Sequence, residues 1–111
     1  MLVLAIDFDQ VIHDNHNPAE GRKMGPPIEG AKETIGRLHR KGYQIVVFSV
    51  WATESGQKVI EEWMRYYDIY FDGITNIKPD AIAFIDDKAI KFTNWEEIPE
   101  QVKKLKLNKL T

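Results

Sequence analysis

Residues 2–9 read Leu2-Val3-Leu4-Ala5-Ile6-Asp7-Phe8-Asp9, and they decide the fold. From Leu2 to Phe8 the run is almost unbroken in apolar residues, the pattern of a strand covered on both faces. It meets carboxylates at its end. The same signature returns downstream. Tyr43 to Ser49 is a second apolar run centred on Ile45, Val46, Val47 and Phe48, and Ala81 to Ile85 is a later one that ends in Asp86 and Asp87. Helical spacing fills the gaps. From about Ile28 to Lys41, residues Ile28, Ala31, Ile35 and Leu38 share one face, and Gly42 is well placed to end that helix. Thr53 or Ser55 can cap a second helix running to about Tyr66, with Val59, Ile60, Trp63 and Tyr67 inward. A short strand is expected near Tyr70 to Ile74 and an edge strand over Ala89 to Phe92. Pro99 suits the first turn of a C-terminal helix on which Ile98, Val102 and Leu105 share a face.

Strands that alternate with helices imply a three-layer α/β/α, Rossmann-like domain with a central parallel sheet, here one domain over residues 1–111. In such sheets the functional groups gather at the carboxyl ends of the strands. Those ends carry Asp7-Phe8-Asp9, Ser49 and Asp86-Asp87, with Lys78 just before the later strand. Residues 10–27 hold loop chemistry, including Gly21, Gly25, Pro26 and Pro27. His13 and His16 in that stretch are expected to be surface loop histidines. The stretch from Phe71 to Asp80 is short for a crossover between parallel strands.

The chain of 111 residues is 43% apolar and 29% charged, ordinary values for a globular domain that can bury a core without disulfides. A net charge of −2 gives no electrostatic reason to expect nucleic acid or an anionic membrane as the partner. The absence of cysteine removes disulfides, thiolate nucleophiles and cysteine metal sites. The apolar N-terminal run is too short for a signal peptide or a membrane span, so a cytoplasmic protein is expected. Exposed aromatics such as Trp51, Tyr66 or Trp95 are candidates for an interface in a homo-oligomer.

Each acidic pair alone reads equally well as a turn former, and Ser49 or Lys78 alone as an ordinary loop residue. Asp7 and Asp9 alternate along a strand, so both serve one site only if the chain turns there. Together the groups have a common chemistry. Several carboxylates in one crevice raise each other's pKa values unless a cation sits among them. Oxygen-only ligands select a hard ion, and Mg²⁺ is the usual choice beside phosphate. Lys78 adds a second positive charge, and Ser49 a hydroxyl donor for a phosphoryl oxygen. Phosphoryl transfer demands these parts, because its catalysis is mostly positioning and charge stabilisation.

The motifs, taken in order, resemble the haloacid dehalogenase superfamily. Asp7-Phe8-Asp9-Gln10-Val11-Ile12-His13 is similar to its first motif, Val47-Phe48-Ser49 to its second, Lys78-Pro79 to its third, and Phe84-Ile85-Asp86-Asp87 to its fourth. The resemblance spans roughly residues 2–92. It implies a phosphatase in which Asp7 attacks phosphorus and becomes an aspartyl phosphate. Asp9 then acts as general acid and afterwards as general base. It further implies Mg²⁺ held by the Asp7 carboxylate, the Asp9 backbone carbonyl and Asp86, with Asp87 tuning that shell or pairing with a lysine. Gln10 stands where many relatives carry glycine, and Trp51 follows Ser49 where a smaller or basic residue is frequent. Family members usually carry a cap domain after the first motif or before the third. Neither place has room for one here, which implies a minimal or capless form open to a small phosphorylated molecule or to an exposed phosphate on a larger one.

Two other classes fit some of the same residues. A receiver-type signalling domain shares the sheet, the aspartates, a hydroxyl residue and a lysine, but its acidic pair lies near the N-terminus. A magnesium- or phosphate-binding module without turnover would keep every one of these groups.

Overall fold

The computed structural model describes residues 2–14, 24–79, 81, 83–86 and 90–110, apart from the side chains of Ala83, Asp86, Ile90, Lys91 and 105–110. In chain order the elements are β1 (Val3–Asp7), α1 (Ala31–Arg40), β2 (Gln44–Phe48), α2 (Glu54–Tyr66), β3 (Gly73–Thr75), β4 (Ala83–Asp86), β5 (Ile90–Lys91) and α3 (Ile98–Leu110). The strands form a five-stranded sheet in the order β3-β2-β1-β4-β5. Every neighbouring pair is parallel. This is a small α/β Rossmann-like fold, as the alternating pattern predicts.

β1 is central, and its register positions the rest. Ala5 pairs with Val46 on one side and Phe84 on the other, and Ile6 with Val47 and Ile85. The pleat therefore divides the sheet into two sets of residues. Leu4, Ile6, Ile45, Val47 and Ile85 are all fully buried and join the core cluster with Ala31, Ile35 and Leu38 of α1, Ile60, Trp63 and Met64 of α2, and Ile98 and Val102 of α3. Ala5 is also buried, but Val46, Phe48 and Phe84 of the opposite set are only partly covered and lie outside that cluster. Topology explains the asymmetry. Moving from β1 to β2 to β3 with right-handed crossovers puts α1 and α2 on one face, and the return from β3 to β4 must cross the other. Only the stretch 76–82 separates β3 from β4, short for the helical crossover that parallel strands usually use. The Lys78 ammonium lies 5.4 Å from the centre of the Phe84 ring, on that second face.

Several boundaries differ from the sequence expectation for local reasons. α1 starts at Ala31 rather than Ile28, because the Ile28 N–H donates to the Ile12 carbonyl and Gly30 adopts a left-handed φ of 90°. β3 is displaced to Gly73–Thr75. Asp72 precedes it with both backbone and side chain engaged to the start of β2: its N–H donates to the Ile45 carbonyl, and its carboxylate accepts the Ile45 N–H. Val59, expected inward on α2, is exposed, since Gly56, Ile60, Trp63 and Met64 form the buried stripe. Trp95, expected as a surface aromatic, is buried and donates its indole N–H to the Val11 carbonyl at 3.0 Å. Tyr66 is exposed, and Trp51 partly so. Among the described residues no helix is long and apolar enough to cross a membrane.

Candidate active site

β1 ends at Asp7, and the chain turns back at once. The Phe8 carbonyl accepts the N–H groups of Val11, Ile12 and His13, while the Gln10 N–H donates to the His13 carbonyl at 2.8 Å. Gln10 has φ 67°, in the left-handed region where glycine is the easier residue. This tight loop is the turn that Asp7 and Asp9 need in order to serve one site.

The Asp9 side chain is held at both oxygens. Oδ1 accepts from His13 Nδ1 at 3.0 Å, and Oδ2 accepts from the indole Nε1 of Trp51, 42 residues away. On its far side, His13 Nε2 accepts the Gly25 N–H at 2.7 Å. A ring nitrogen that accepts carries no proton, so the hydrogen-bond pattern assigns the neutral tautomer protonated on Nδ1. His13 is fully buried, stacked on Phe8 at 4.9 Å with Trp63 edge-on at 5.3 Å. It is therefore not the surface histidine that its Gly- and Pro-rich surroundings suggest. His16 lies outside the described residues.

Ser49 follows β2, next to the end of β1, because Asp7 pairs with Phe48. Its N–H extends the ladder to the Thr75 carbonyl at 3.0 Å, and it is buried. The Trp51 N–H approaches Ser49 Oγ at 3.4 Å. A hydroxyl that accepts there still has its own hydrogen to give. Lys78 is exposed beyond β3, over Phe84. Phe84 pairs with Ala5, two residues before Asp7 and on the same side of the pleat, so Lys78 stands on the Asp7 face of the sheet. Asp86 is the last residue of β4, one position past the pair of Ile6 with Ile85, which makes it the strand neighbour of Asp7. Its side chain and Asp87 lie outside the described residues.

The folded chain thus brings Asp7, Asp9, Ser49 and the Asp86 backbone to one edge of the sheet. The donors there are carboxylate, carbonyl and hydroxyl oxygens, a set that suits a hard cation such as Mg²⁺. Among the described residues no three His, Cys, Asp or Glu side chains already converge as a metal-holding group. Sequence reasoning missed the roles of His13, Trp51 and Gly25. It also missed Gly56, whose place inside a helix was a signal of close packing.

Two solved structures are similar to this chain. A conserved protein from Bacteroides thetaiotaomicron superimposes with a TM-score of 0.74 at 26% identity, covering 93% of this chain and 90% of that one. A crystal structure of a Vibrio cholerae protein superimposes with a TM-score of 0.61 at 22% identity, covering 94% and 98% respectively. Both bear on the fold. No family model and no curated protein matches the chain.

Proposed function

We propose that the protein is a magnesium-dependent phosphohydrolase of the haloacid dehalogenase type, acting on a phosphomonoester through an aspartyl phosphate on Asp7. The observation that carries this reading is positional. Asp7 ends the central strand paired with Phe48 of β2, so that Ser49 comes one residue beyond that pair, Asp86 lies beside Asp7 on β4, and Asp9 is turned back two residues later.

In the first half-reaction an Asp7 carboxylate oxygen attacks phosphorus, the bond to the leaving oxygen breaks, and Asp9 gives that oxygen a proton. In the second, Asp9 takes a proton from water, whose oxygen attacks phosphorus, releasing phosphate and regenerating Asp7. Each Asp9 oxygen accepts one hydrogen bond and keeps a second lone pair on which a proton can travel. Ser49 donates its hydroxyl hydrogen to a phosphoryl oxygen, and Lys78 lowers the cost of a dianion approaching Asp7. Asp7, the Asp9 carbonyl and Asp86 would hold Mg²⁺, Asp87 would tune that shell or pair with a lysine, and the ion would neutralise charge on the substrate. The stretch 76–82 between β3 and β4 is too short for an inserted domain, which leaves room for either a small phosphorylated molecule or a phosphate on a larger one. A cytoplasmic setting belongs to the same proposal.

A magnesium- or phosphate-binding module without turnover is the second reading, favoured by one observation: both Asp9 oxygens are already engaged. One assay separates the two. Release of inorganic phosphate from an aryl phosphate is measured with and without Mg²⁺, for the wild type and Asp7→Asn. Magnesium-dependent release that vanishes in the nearly isosteric variant supports the covalent mechanism. Equal release by Asp7→Asn overturns it, and Mg²⁺ binding without release favours the binding module.

A further inference from the structure

We propose that His13 and Trp51 are positioning residues that aim the Asp9 carboxylate, and that the Gly25 peptide locks His13 in the tautomer this requires. The inference rests on the phosphohydrolase reading for its kinetic consequence, though not for its geometry.

Asp9 is a short side chain at the rim of the sheet, 23% exposed. Left alone, such a carboxylate rotates freely about its side-chain bonds. Two N–H donors from separate elements fix it instead. His13 reaches Oδ1 from the loop after β1, and Trp51 reaches Oδ2 from the turn between β2 and α2. Two contacts, one on each oxygen, set both the direction and the plane of the carboxylate.

Neither donor is itself free to move. The His13 ring is enclosed by Phe8 and Trp63, and turning it over would remove both the Asp9 and the Gly25 bonds. Gly25 in turn is held at both ends of its polar backbone: its N–H donates to His13, and its carbonyl accepts the Trp63 indole N–H at 2.9 Å. Trp51 packs edge-on to Phe8 at 5.9 Å, and its carbonyl lies against Gly56. A buried histidine that served only packing would need any two polar partners. Here one partner is the side chain assigned to proton transfer, and the same carboxylate collects the indole of a second residue. Misplacing a reacting group by about 1 Å can cost 10²-fold, so such a clamp has a measurable use.

The test combines kinetics with a spectroscopic readout that needs no turnover. Trp51→Phe keeps the ring and deletes the donor. His13→Asn keeps a donor near the place of Nδ1, whereas His13→Gln carries an acceptor toward Gly25 and loses the donor to Asp9. Expected are a drop in kcat of about 10- to 100-fold for Trp51→Phe and His13→Gln with KM nearly unchanged, and partial rescue in His13→Asn. With an aryl phosphate, whose leaving oxygen needs little protonation, aspartyl phosphate should accumulate in the two impaired variants, since water activation still depends on Asp9. In ¹⁵N-labelled wild type, His13 should show the tautomer protonated on Nδ1. The Trp51 indole resonance should move on Asp9→Asn while that of Trp95 stays in place. Unchanged kcat in folded Trp51→Phe overturns the proposal, as does His13 protonated on Nε2 or a Trp51 indole indifferent to Asp9→Asn. If the wild type releases no phosphate, the phosphohydrolase reading falls by itself, and the two resonances alone decide whether His13 and Trp51 hold Asp9.

Discussion

Gly56, in the first turn of α2, faces the backbone carbonyl of Trp51 so closely that a β-carbon has no place between them. The same β-carbon would lie 3.0 Å from Trp51 Cε3. A residue that makes no hydrogen bond to Asp9 thereby fixes the turn from which the Trp51 indole reaches it.

Gly56→Ala should destabilise the protein. Alanine gains up to about 1 kcal/mol in helix propensity over glycine. Overpacking costs about 1–3 kcal/mol, and the neighbour is backbone, which cannot rotate away. The clash should win. A lowered urea midpoint with an unchanged slope is the expected result; a raised midpoint would mean that the Ser49–Ala52 turn yields easily.

Ser49→Ala should impair the proposed reaction without unfolding the chain. The ladder bond to Thr75 comes from the Ser49 backbone and survives the change. The loss is one hydroxyl donor to a charged phosphoryl oxygen, about 1.5–3 kcal/mol, or roughly 10- to 150-fold in kcat/KM. Steady-state kinetics beside a melting curve would measure both effects, and an unaltered kcat/KM would remove Ser49 from the mechanism.

Trp95→Phe should weaken the fold beneath the loop that carries Asp9. The indole N–H satisfies the carbonyl of buried Val11, and the Trp95 carbonyl accepts the Thr34 hydroxyl of α1 at 3.5 Å. Phenylalanine leaves the Val11 carbonyl without that donor, at about 1–3 kcal/mol. Trp95→Ala should cost about 3–5 kcal/mol by leaving a cavity as well. Chemical denaturation would give both values, and equal stabilities for the two variants would contradict this account.

Tyr70 should make stability fall at alkaline pH. Its hydroxyl donates to Asp72 at 2.5 Å, and that hydrogen bond, with burial and the Asp72 charge, holds its pKa above the ordinary phenol value. A folded pKa raised above the unfolded one favours the neutral phenol. The contribution is complete below about pH 10 and is lost as pH rises through the folded value. Ultraviolet titration should show Tyr70 ionising late, and Asp72→Asn should bring it back toward the ordinary range. A titration unaffected by Asp72→Asn would contradict the assignment.

Much of the framework was legible along the chain, for a physical reason. Strands covered on both faces need continuous apolar runs, and β1 and β2 fall where those runs fall. A helix on the core needs an apolar stripe, and Ala31, Ile35 and Leu38 supply it for α1. The placing of Asp7, Ser49 and Asp86 at strand ends follows from the same runs, since each sits where an apolar stretch stops.

The remainder needed the folded chain. Which residues lie opposite one another across loops has no period and no propensity to mark it. His13 sits among turn formers and reads as solvent-exposed, yet Phe8, Trp63 and Gly25 enclose it from three parts of the chain. Spacing alone turns Val59 inward on α2, yet it is exposed, because the close contact of Gly56 with Trp51 brings the Gly56, Ile60 and Trp63 stripe against the sheet. Local sequence encodes where backbone hydrogen bonds close within an element or a ladder. The Asp9 clamp joins side chains 4 and 42 residues apart, and only the register of β1 against β2 brings them within reach.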